Sequence, residues 1–296
     1  MADSVEVGSE AYEKYVEAGE ILTEVMDAAA DRVEVGATQL EVAEFAEERI
    51  RELGGEPAFP VNISVDEEAS HAAPGADDDT EFGEQMVCLD VGVHVDGHIA
   101  DAATTVDLSG NPELVEAAEE ALDAAVDAVE PGVHTGEIGA EIQDVIEAYG
   151  YNPVVNLTGH GVDVFDAHTG PNVPNRKLDS GTELQVGDVL AIEPFATDGT
   201  GKVSEGSATE IYEVVGEGSV RDRRARQLLD DLEQFDDLPF AARWLDAPRA
   251  EMSLRRLEMA DIVRSYPVLK EQEGALVSQD EHTLVVTEDG CEVTTN

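Results

Sequence analysis

The chain alternates between helix-type and strand-type spacing of its hydrophobic residues, and this alternation predicts a mixed architecture. Residues 9–31 place apolar side chains at helical intervals. A second helical pattern begins at Thr38, where Glu41 completes a capping box, and it ends at Gly54-Gly55. The two patterns predict a pair of amphipathic helices at the start of the chain.

Two further helices are predicted in the middle of the chain. One opens at Asn111-Pro112 and closes at Pro131-Gly132, and the next spans residues 136–149. Strand-type runs follow near residues 153–158, 188–197 and 207–215. The order of helices and strands indicates an α+β fold.

The spacing changes at about residue 217. Helical intervals of leucine and isoleucine continue to about residue 273, and strand-type spacing returns at 275–278 and 283–287. We therefore predict a helical insertion inside a larger domain. The predicted boundaries are residues 1–216 and 274–296 for the larger domain and 217–273 for the insertion.

Charge changes this picture in two ways. The 296 residues carry 67 acidic and 17 basic side chains, a formal net charge of −50, which disfavours binding to nucleic acid or to an anionic membrane. Although more than half of the basic residues lie between Arg221 and Arg264, acidic residues are interleaved with them, which favours a solvated helix face. So acidic a chain predicts a halophilic protein, because molar salt shortens the Debye length to about 3 Å.

The termini and cysteines indicate a cytoplasmic protein. The first residues contain no basic segment followed by an apolar one, and no apolar run approaches 18 residues. Cys88 and Cys291 are too few for a disulfide framework.

The sharpest local signal is a hairpin that contains two aspartates. Asp96-Gly97 is a preferred two-residue turn, and the register it sets places Gly92 opposite Asp101. Asp90 and Asp101 then share one face as diagonal neighbours, with Cα atoms about 7–8 Å apart. Two carboxylates at that separation can reach a pair of metal ions about 3.5–4 Å apart.

Three other residues could complete a metal site. Glu193 follows the apolar run 189–192, where a carboxylate is costly to bury unless it is paired or metal-bound. His160 lies between two glycines, and Glu281 follows a strand-like run. Four carboxylates and one imidazole form a hard, oxygen-rich ligand set. From spacing alone, a hydrogen-bonded structural histidine and turn-forming aspartates remain alternatives.

The chain resembles the type 2 methionine aminopeptidases over nearly its whole length. Besides the aspartate pair, the segments that carry the resemblance are 58–60, 70–74, 159–161, 167–170, 191–195 and 279–283. One departure is Asp280, which stands where type 2 enzymes usually carry an aromatic residue.

The resemblance implies a pita-bread fold with a winged-helix-like insertion, and removal of the N-terminal methionine when the next residue is small. It also implies two divalent metal ions, of Co, Mn, Fe or Zn. Their implied ligands are Asp90, Asp101, His160, Glu193 and Glu281.

Further roles follow from the resemblance alone. Glu193 would also carry the proton, His168 would stabilise the developing oxyanion, and His71 would contact the substrate backbone. The implied methionine pocket consists of Phe59, Ile211 and Tyr266. Loop capping by the two histidines and core packing by the three pocket residues are the simpler interpretations.

The implied substrates are the N-termini of nascent polypeptides, with the protein close to the ribosome and monomeric. Met1 is followed by the small residue Ala2, so the chain is expected to be a substrate of its own activity. One alternative is a proline-directed aminopeptidase of the same fold. Another is a pita-bread protein that has lost its metals and serves as a binding protein.

Overall fold

A computed structural model describes residues 4–296, so the Met1-Ala2 start and its predicted processing lie outside the described residues. The helices are α1 (Glu10–Ala30), α2 (Gln39–Leu53), α3 (Pro112–Asp127), α4 (Thr135–Ala148), α5 (Arg223–Leu232) and α6 (Ala250–Glu258). The first half of the strands are β1 (Glu56–Pro57), β2 (Asn62–Val65), β3 (Glu68–Ser70), β4 (Met86–Val95), β5 (His98–Asp107), β6 (Asn152–Pro153), β7 (Thr158–Asp163) and β8 (Asp166–Pro174). The others are β9 (Val189–Ile192), β10 (Phe195–Thr197), β11 (Ser204–Val214), β12 (Phe240–Ala241), β13 (Val263–Lys270), β14 (Val277–Gln279), β15 (His282–Thr287) and β16 (Gly290–Val293).

The first two helices begin and end where the sequence predicts. The side chain of Ser9 accepts a hydrogen bond from the backbone of Tyr12 at the start of α1. Thr38 caps α2 by accepting from the backbone N–H of Glu41, and its hydroxyl donates to the carboxylate of Glu41. Gly54 ends α2 at φ 97°, a left-handed conformation that glycine adopts without a steric penalty.

The strands form four sheets, and helices pack against each of them. β4 pairs with β5 along one edge and with β1 and β2 along the other, and α1 packs on β4 and β5. In the second half of the fold, β9 lies between β7 and β15, and α4 packs on β8. Each half has its own apolar core, one around α1 and α2 and one around α3 and α4. The predicted α+β class is confirmed.

Two predicted strands are interrupted. The run 188–197 divides into β9 and β10 at Glu193-Pro194. Proline has no N–H to donate to a ladder, so the strand breaks there and leaves Glu193 outside it. The run 153–158 is instead the end of β6 followed by a loop, and β7 begins at Thr158.

The segment 217–273 differs from the helical prediction. It contains α5, α6 and an apolar cluster of its own, but it ends in the eight-residue strand β13. This strand pairs with β11 on one side and with β3 on the other, so the segment returns to a sheet before residue 273. The helical spacing of Leu254 and Leu257 does not extend into the Val263–Lys270 segment. The division into two domains at these boundaries stays a proposal.

Two smaller predictions concern cysteines and membrane spans. Cys88 is buried, Cys291 is half-buried, and both are free thiols, as expected for a chain without a disulfide framework. Within residues 4–296, no helix combines the length and the apolar character needed to cross a bilayer.

Candidate metal centre

The aspartate hairpin forms with the predicted register. Asp96 and Gly97 take φ values of 49° and 85°, the two positive values that a type I′ turn requires. Asp90 pairs with Ala103, and Asp101 lies two residues before Ala103 on the partner strand. The two aspartate side chains therefore share one face of the β4–β5 pair, which confirms the hairpin prediction.

Three separate elements bring the other candidate ligands to this face. His160 lies in β7, which pairs with β9, and Glu193 follows β9 at the strand break. Glu281 lies between β14 and β15, and its backbone N–H donates to the carbonyl of Ala103 at 3.0 Å. Strand pairing thus places residues that are far apart in sequence around the aspartate pair.

Short distances join the side chains. The Nε2 atom of His160 lies 3.5 Å from Oε1 of Glu193 and 3.8 Å from Oδ2 of Asp101. One ligand atom each from Asp101, His160 and Glu281 lies within 4.8 Å of the other two. A gap of this size between oxygen and nitrogen ligands can hold a metal ion.

Burial of these groups has a large electrostatic effect. Burial raises the pKa of Asp90 to about 7. The pKa of Asp101 is raised well above its ordinary value, mainly by burial and also by the negative charge of Asp90. The pKa of Glu193 and that of Glu281 are also raised well above normal, first by burial and then by the neighbouring carboxylates. Burial, followed by repulsion from the imidazolium form of the nearby His168, lowers the pKa of His160 to about 3, so its imidazole is neutral. The described residues that line this cavity include no lysine and no arginine.

Unpartnered oxygen atoms indicate the kind of ligand that fits the site. In the described part of the chain, Oδ1 of Asp90, Oδ1 of Asp101 and Oε1 of Glu281 are buried without a hydrogen-bond partner. The other oxygen of Glu281 accepts from the side-chain amide of Gln279 at 3.0 Å. Buried carboxylate oxygens need a donor or a cation. Carboxylates together with a neutral imidazole fit a divalent metal ion.

The carboxylates line a cavity of about 200 Å³ that also contains the other predicted site residues. The predicted pocket residues Phe59, Ile211 and Tyr266 form part of its wall, and Ile211 pairs with Tyr266 across β11 and β13. The structure therefore brings together every candidate site residue of the sequence analysis. Sequence reasoning did not name several other lining residues: Asn62, Ser70, Asn156, Leu157, Thr158, Pro239 and Leu269.

Different signals bear on these missed residues. Asn62 and Ser70 lie within or beside segments that carry the family resemblance, so their positions could have pointed to them. Leu157, Pro239 and Leu269 come from three distant segments, and each reads in the sequence as an ordinary apolar or loop residue. Only the tertiary fold places them on one wall.

The two other histidines lie beside the carboxylates. The rings of His168 and His160 are 4.4 Å apart between centroids, and His71 packs edge-on against Tyr266 at 5.2 Å. The Nδ1 atom of His71 lies 3.4 Å from the carbonyl oxygen of Pro267. His71 has a φ of 62°, which a non-glycine residue rarely adopts, so surrounding contacts hold the loop in a strained conformation. Burial lowers the pKa of His71 to about 4, so this imidazole is neutral at pH 7.

Comparisons with known proteins agree with this geometry. The sequence pattern of metallopeptidase family M24 matches residues 13–223. The methionine aminopeptidase of Archaeoglobus fulgidus is 48% identical over 289 residues, which cover 97% of this chain and 99% of that protein. The methionine aminopeptidase of Methanocaldococcus jannaschii is 47% identical over 290 residues, again 97% of this chain and 99% of the relative.

Solved structures share the fold. The methionine aminopeptidase of Thermotoga maritima superposes with a TM-score of 0.72 at 24% identity over 100% of both chains. A thermophilic Arx1 gives a TM-score of 0.87 at 16% identity, over 98% of this chain and 91% of that one. The prolidase of Pyrococcus furiosus gives 0.63 at 21% identity, over 97% of this chain but 64% of the prolidase. At these identities the likeness speaks for the fold alone.

Proposed function

Because the chain belongs to metallopeptidase family M24 and, within it, to the methionine aminopeptidases, we propose that it removes the N-terminal methionine of polypeptides. It has the pita-bread fold, and it is a metal-dependent exopeptidase, so the predicted fold and enzyme class are confirmed. The observation that carries the function is a set of carboxylates that line a cavity without a basic side chain among its described residues, three of them with a buried, unpartnered oxygen.

The proposed metal ligands are the five predicted residues. They are Asp90, Asp101, His160, Glu193 and Glu281. We propose that they hold two divalent ions of Co, Mn, Fe or Zn. A divalent ion at such a site lowers the pKa of a water molecule and polarises a carbonyl oxygen. The unpartnered oxygens of both aspartates and of Glu281 support this assignment.

Glu193 is the proposed proton carrier. Its Oε1 atom faces His160 at 3.5 Å, so we assign the transferred proton to Oε2. A carboxyl group in this buried setting binds a proton more firmly than one in water. It can therefore take a proton from the attacking water and deliver it to the departing amine.

The two histidines that we do not count as ligands have proposed roles that depend on their neutral rings. If Nδ1 of His71 donates to the carbonyl of Pro267, its Nε2 is an acceptor, which suits an N–H of the substrate backbone. We propose that His168, beside His160, donates to the scissile carbonyl as negative charge develops there.

The methionine side chain is proposed to occupy the apolar part of the cavity. Phe59, Ile211 and Tyr266 form its walls, together with Pro239 and Leu269. An unbranched thioether fills an irregular apolar space of this kind with little strain.

The finer assignments are also proposals. The helices α5 and α6 between β11 and β13 support a type 2 enzyme, since the resemblance ties such an insertion to that type. The charge of −50 supports a cytoplasmic protein adapted to high salt. We further propose that the substrates are nascent chains near the ribosome and that the enzyme acts as a monomer, without direct contact to nucleic acid or membrane.

One experiment separates this function from its alternatives. Purified protein in molar KCl with added Mn²⁺ or Co²⁺ is expected to release methionine from Met-Ala-Ser, and to leave Ala-Ala-Ser and Ala-Pro-Ser intact. Cleavage of Ala-Pro-Ser alone would indicate a proline-directed aminopeptidase. Binding of the peptides without cleavage would indicate the metal-free binding protein.

A further inference from the structure

Asn62 lines the cavity but has no part in the function described so far. It is 5% exposed and lies in β2, directly opposite Asp90 of β4. Cross-strand partners present their side chains on the same face of a sheet. Asn62 therefore lies beside the carboxylate cluster, on its side of the sheet.

The amide of Asn62 is only half satisfied. Its Nδ2 donates to the carbonyl oxygen of Pro60 at 3.0 Å, which identifies the other end of the amide as Oδ1. That Oδ1 atom is buried and has no hydrogen-bond partner anywhere in the described residues. An acceptor left in this state destabilises the protein until a donor meets it.

A comparison with Asn175 shows that position beside the cavity distinguishes Asn62 from another buried asparagine. Asn175 is also buried, its Nδ2 donates to the carbonyl of Leu157 at 3.2 Å, and its Oδ1 has no partner among residues 4–296. Asn175 does not line the cavity, whereas Asn62 does. Of the two asparagines, only Asn62 belongs to the wall that a ligand in the cavity would meet.

The chemistry beside Asn62 indicates which group the ligand must bring. Oδ1 of Asn62 is a hydrogen-bond acceptor beside a cluster of carboxylates, so it favours a ligand group that donates hydrogen bonds and carries positive charge. A peptide with a free N-terminus carries such a group, its α-amine, on the residue that would enter the cavity. We propose that Oδ1 of Asn62 accepts a hydrogen bond from the free α-amine of the substrate, next to Asp90. This inference rests on the proposed aminopeptidase function and assigns Asn62 a part in selecting unblocked N-termini.

A pair of ligands that differ only in the amine tests the proposal. L-Methionine and its des-amino analogue, 4-(methylsulfanyl)butanoic acid, are titrated into Mn²⁺-loaded protein by calorimetry in molar KCl. The wild type is expected to prefer methionine. In Asn62→Ala, affinity for methionine is expected to fall about tenfold, the effect of about 1.4 kcal/mol, while affinity for the analogue stays unchanged. Asn62→Ser is the second variant if Asn62→Ala does not fold, with the same expected loss.

Asn175→Ala is the matched control, because it removes the same kind of buried amide outside the cavity. It is expected to keep the wild-type ratio of the two affinities.

Equal weakening of both ligands in Asn62→Ala would overturn the proposal by indicating a structural role. Loss of Mn²⁺ affinity in that variant would overturn it by indicating a metal contact. If the wild type releases methionine and Asn62→Ala keeps the wild-type ratio of the two affinities, only this inference is refuted. A wild type that releases none and shows no preference for methionine refutes the proposed function as well.

Discussion

Two clusters with buried carboxylates, one around Glu47 and one around Asp101, differ in what surrounds them. Glu47, in α2, is 4% exposed, and its carboxylate pairs with the buried guanidinium of Arg243. It also accepts hydrogen bonds from the indole N–H of Trp244 at 2.8 Å and from the backbone of Val61 at 3.4 Å. Asp101 and Glu281 are equally buried, at 3% and 2% exposed, but the described residues of their cavity supply no such cation.

The contrast separates a structural ion pair from a ligand site. Burial raises the pKa of Glu47, and the guanidinium of Arg243 pulls that pKa down again in part. Around Asp101 the nearest charges are other carboxylates, which raise the pKa further. The protein thus compensates Glu47 internally and leaves the other cluster to be compensated by what binds there.

Removal of a proposed metal ligand is expected to have the largest effect. His160→Ala and Glu281→Ala are each expected to slow methionine release about a thousandfold or more, because a metal contributes several kcal/mol to the transition state. Steady-state release from Met-Ala-Ser measures this. Asp280→Asn is the matched control, since Asp280 is adjacent in sequence but does not line the cavity. Activity near the wild-type level in either alanine variant would remove the metal assignment.

The structural ion pair gives the complementary test. Arg243→Ala is expected to lower the free energy of unfolding by about 3–5 kcal/mol, because it leaves the carboxylate of Glu47 buried and unpaired. Urea unfolding at constant KCl measures the change. The double variant Glu47→Leu with Arg243→Met is expected to recover most of the loss. If Arg243→Ala lowers the free energy of unfolding by less than about 1 kcal/mol, the ion pair is no stronger than a surface salt bridge.

Protonation of Asp90 affects the stability of metal-free protein. The folded-state pKa of Asp90, about 7, lies above its ordinary value of 3.8, so the folded state holds the proton more firmly than the unfolded one. Stability from this group is therefore present at low pH and is lost as pH rises from about 4 to about 7. Thermal melts of chelator-treated protein across this range are expected to show the decline.

Added Mn²⁺ is expected to reverse that trend, since metal binding requires ionised carboxylates and strengthens as pH rises. Asp90→Asn is expected to flatten the decline in metal-free protein, and molar KCl screens the surface charges that also contribute to it. An identical slope in wild type and variant would show that the cluster does not hold the proton as described.

Salt gives the smallest effect of the series. With a net charge of −50, the melting temperature is expected to rise by several degrees between low and molar KCl, because salt screens the repulsion between carboxylates. A melting temperature that is constant or falls over that range would argue against halophilic adaptation.

Sequence reasoning succeeded where local chemistry decides the structure. The Asp96-Gly97 turn and the alternation of strand residues determine the face that Asp90 and Asp101 share, and no distant contact is needed to derive it. The cap at Thr38 and the end of α2 at Gly54 are local in the same way.

Tertiary contacts decide the features that were missed. The strand β13 is stabilised by pairing with β11 and β3, and β3 lies nearly 200 residues earlier in the chain. The contact between Glu47 and Arg243 spans 196 positions, and nothing in the local sequence of either residue indicates the other. Asn62 reads as an ordinary polar strand residue until the fold places its amide beside Asp90.

The most direct test of the contrast between the two clusters is the number of divalent ions bound per chain. Calorimetric titration of chelator-treated protein with Mn²⁺ in molar KCl is expected to give two sites in the wild type and in Asp280→Asn. It is expected to give fewer or markedly weaker sites in Glu281→Ala. Absence of Mn²⁺ binding in the wild type, or binding that Glu281→Ala leaves unchanged, would contradict the claim that metal ions compensate the buried carboxylates.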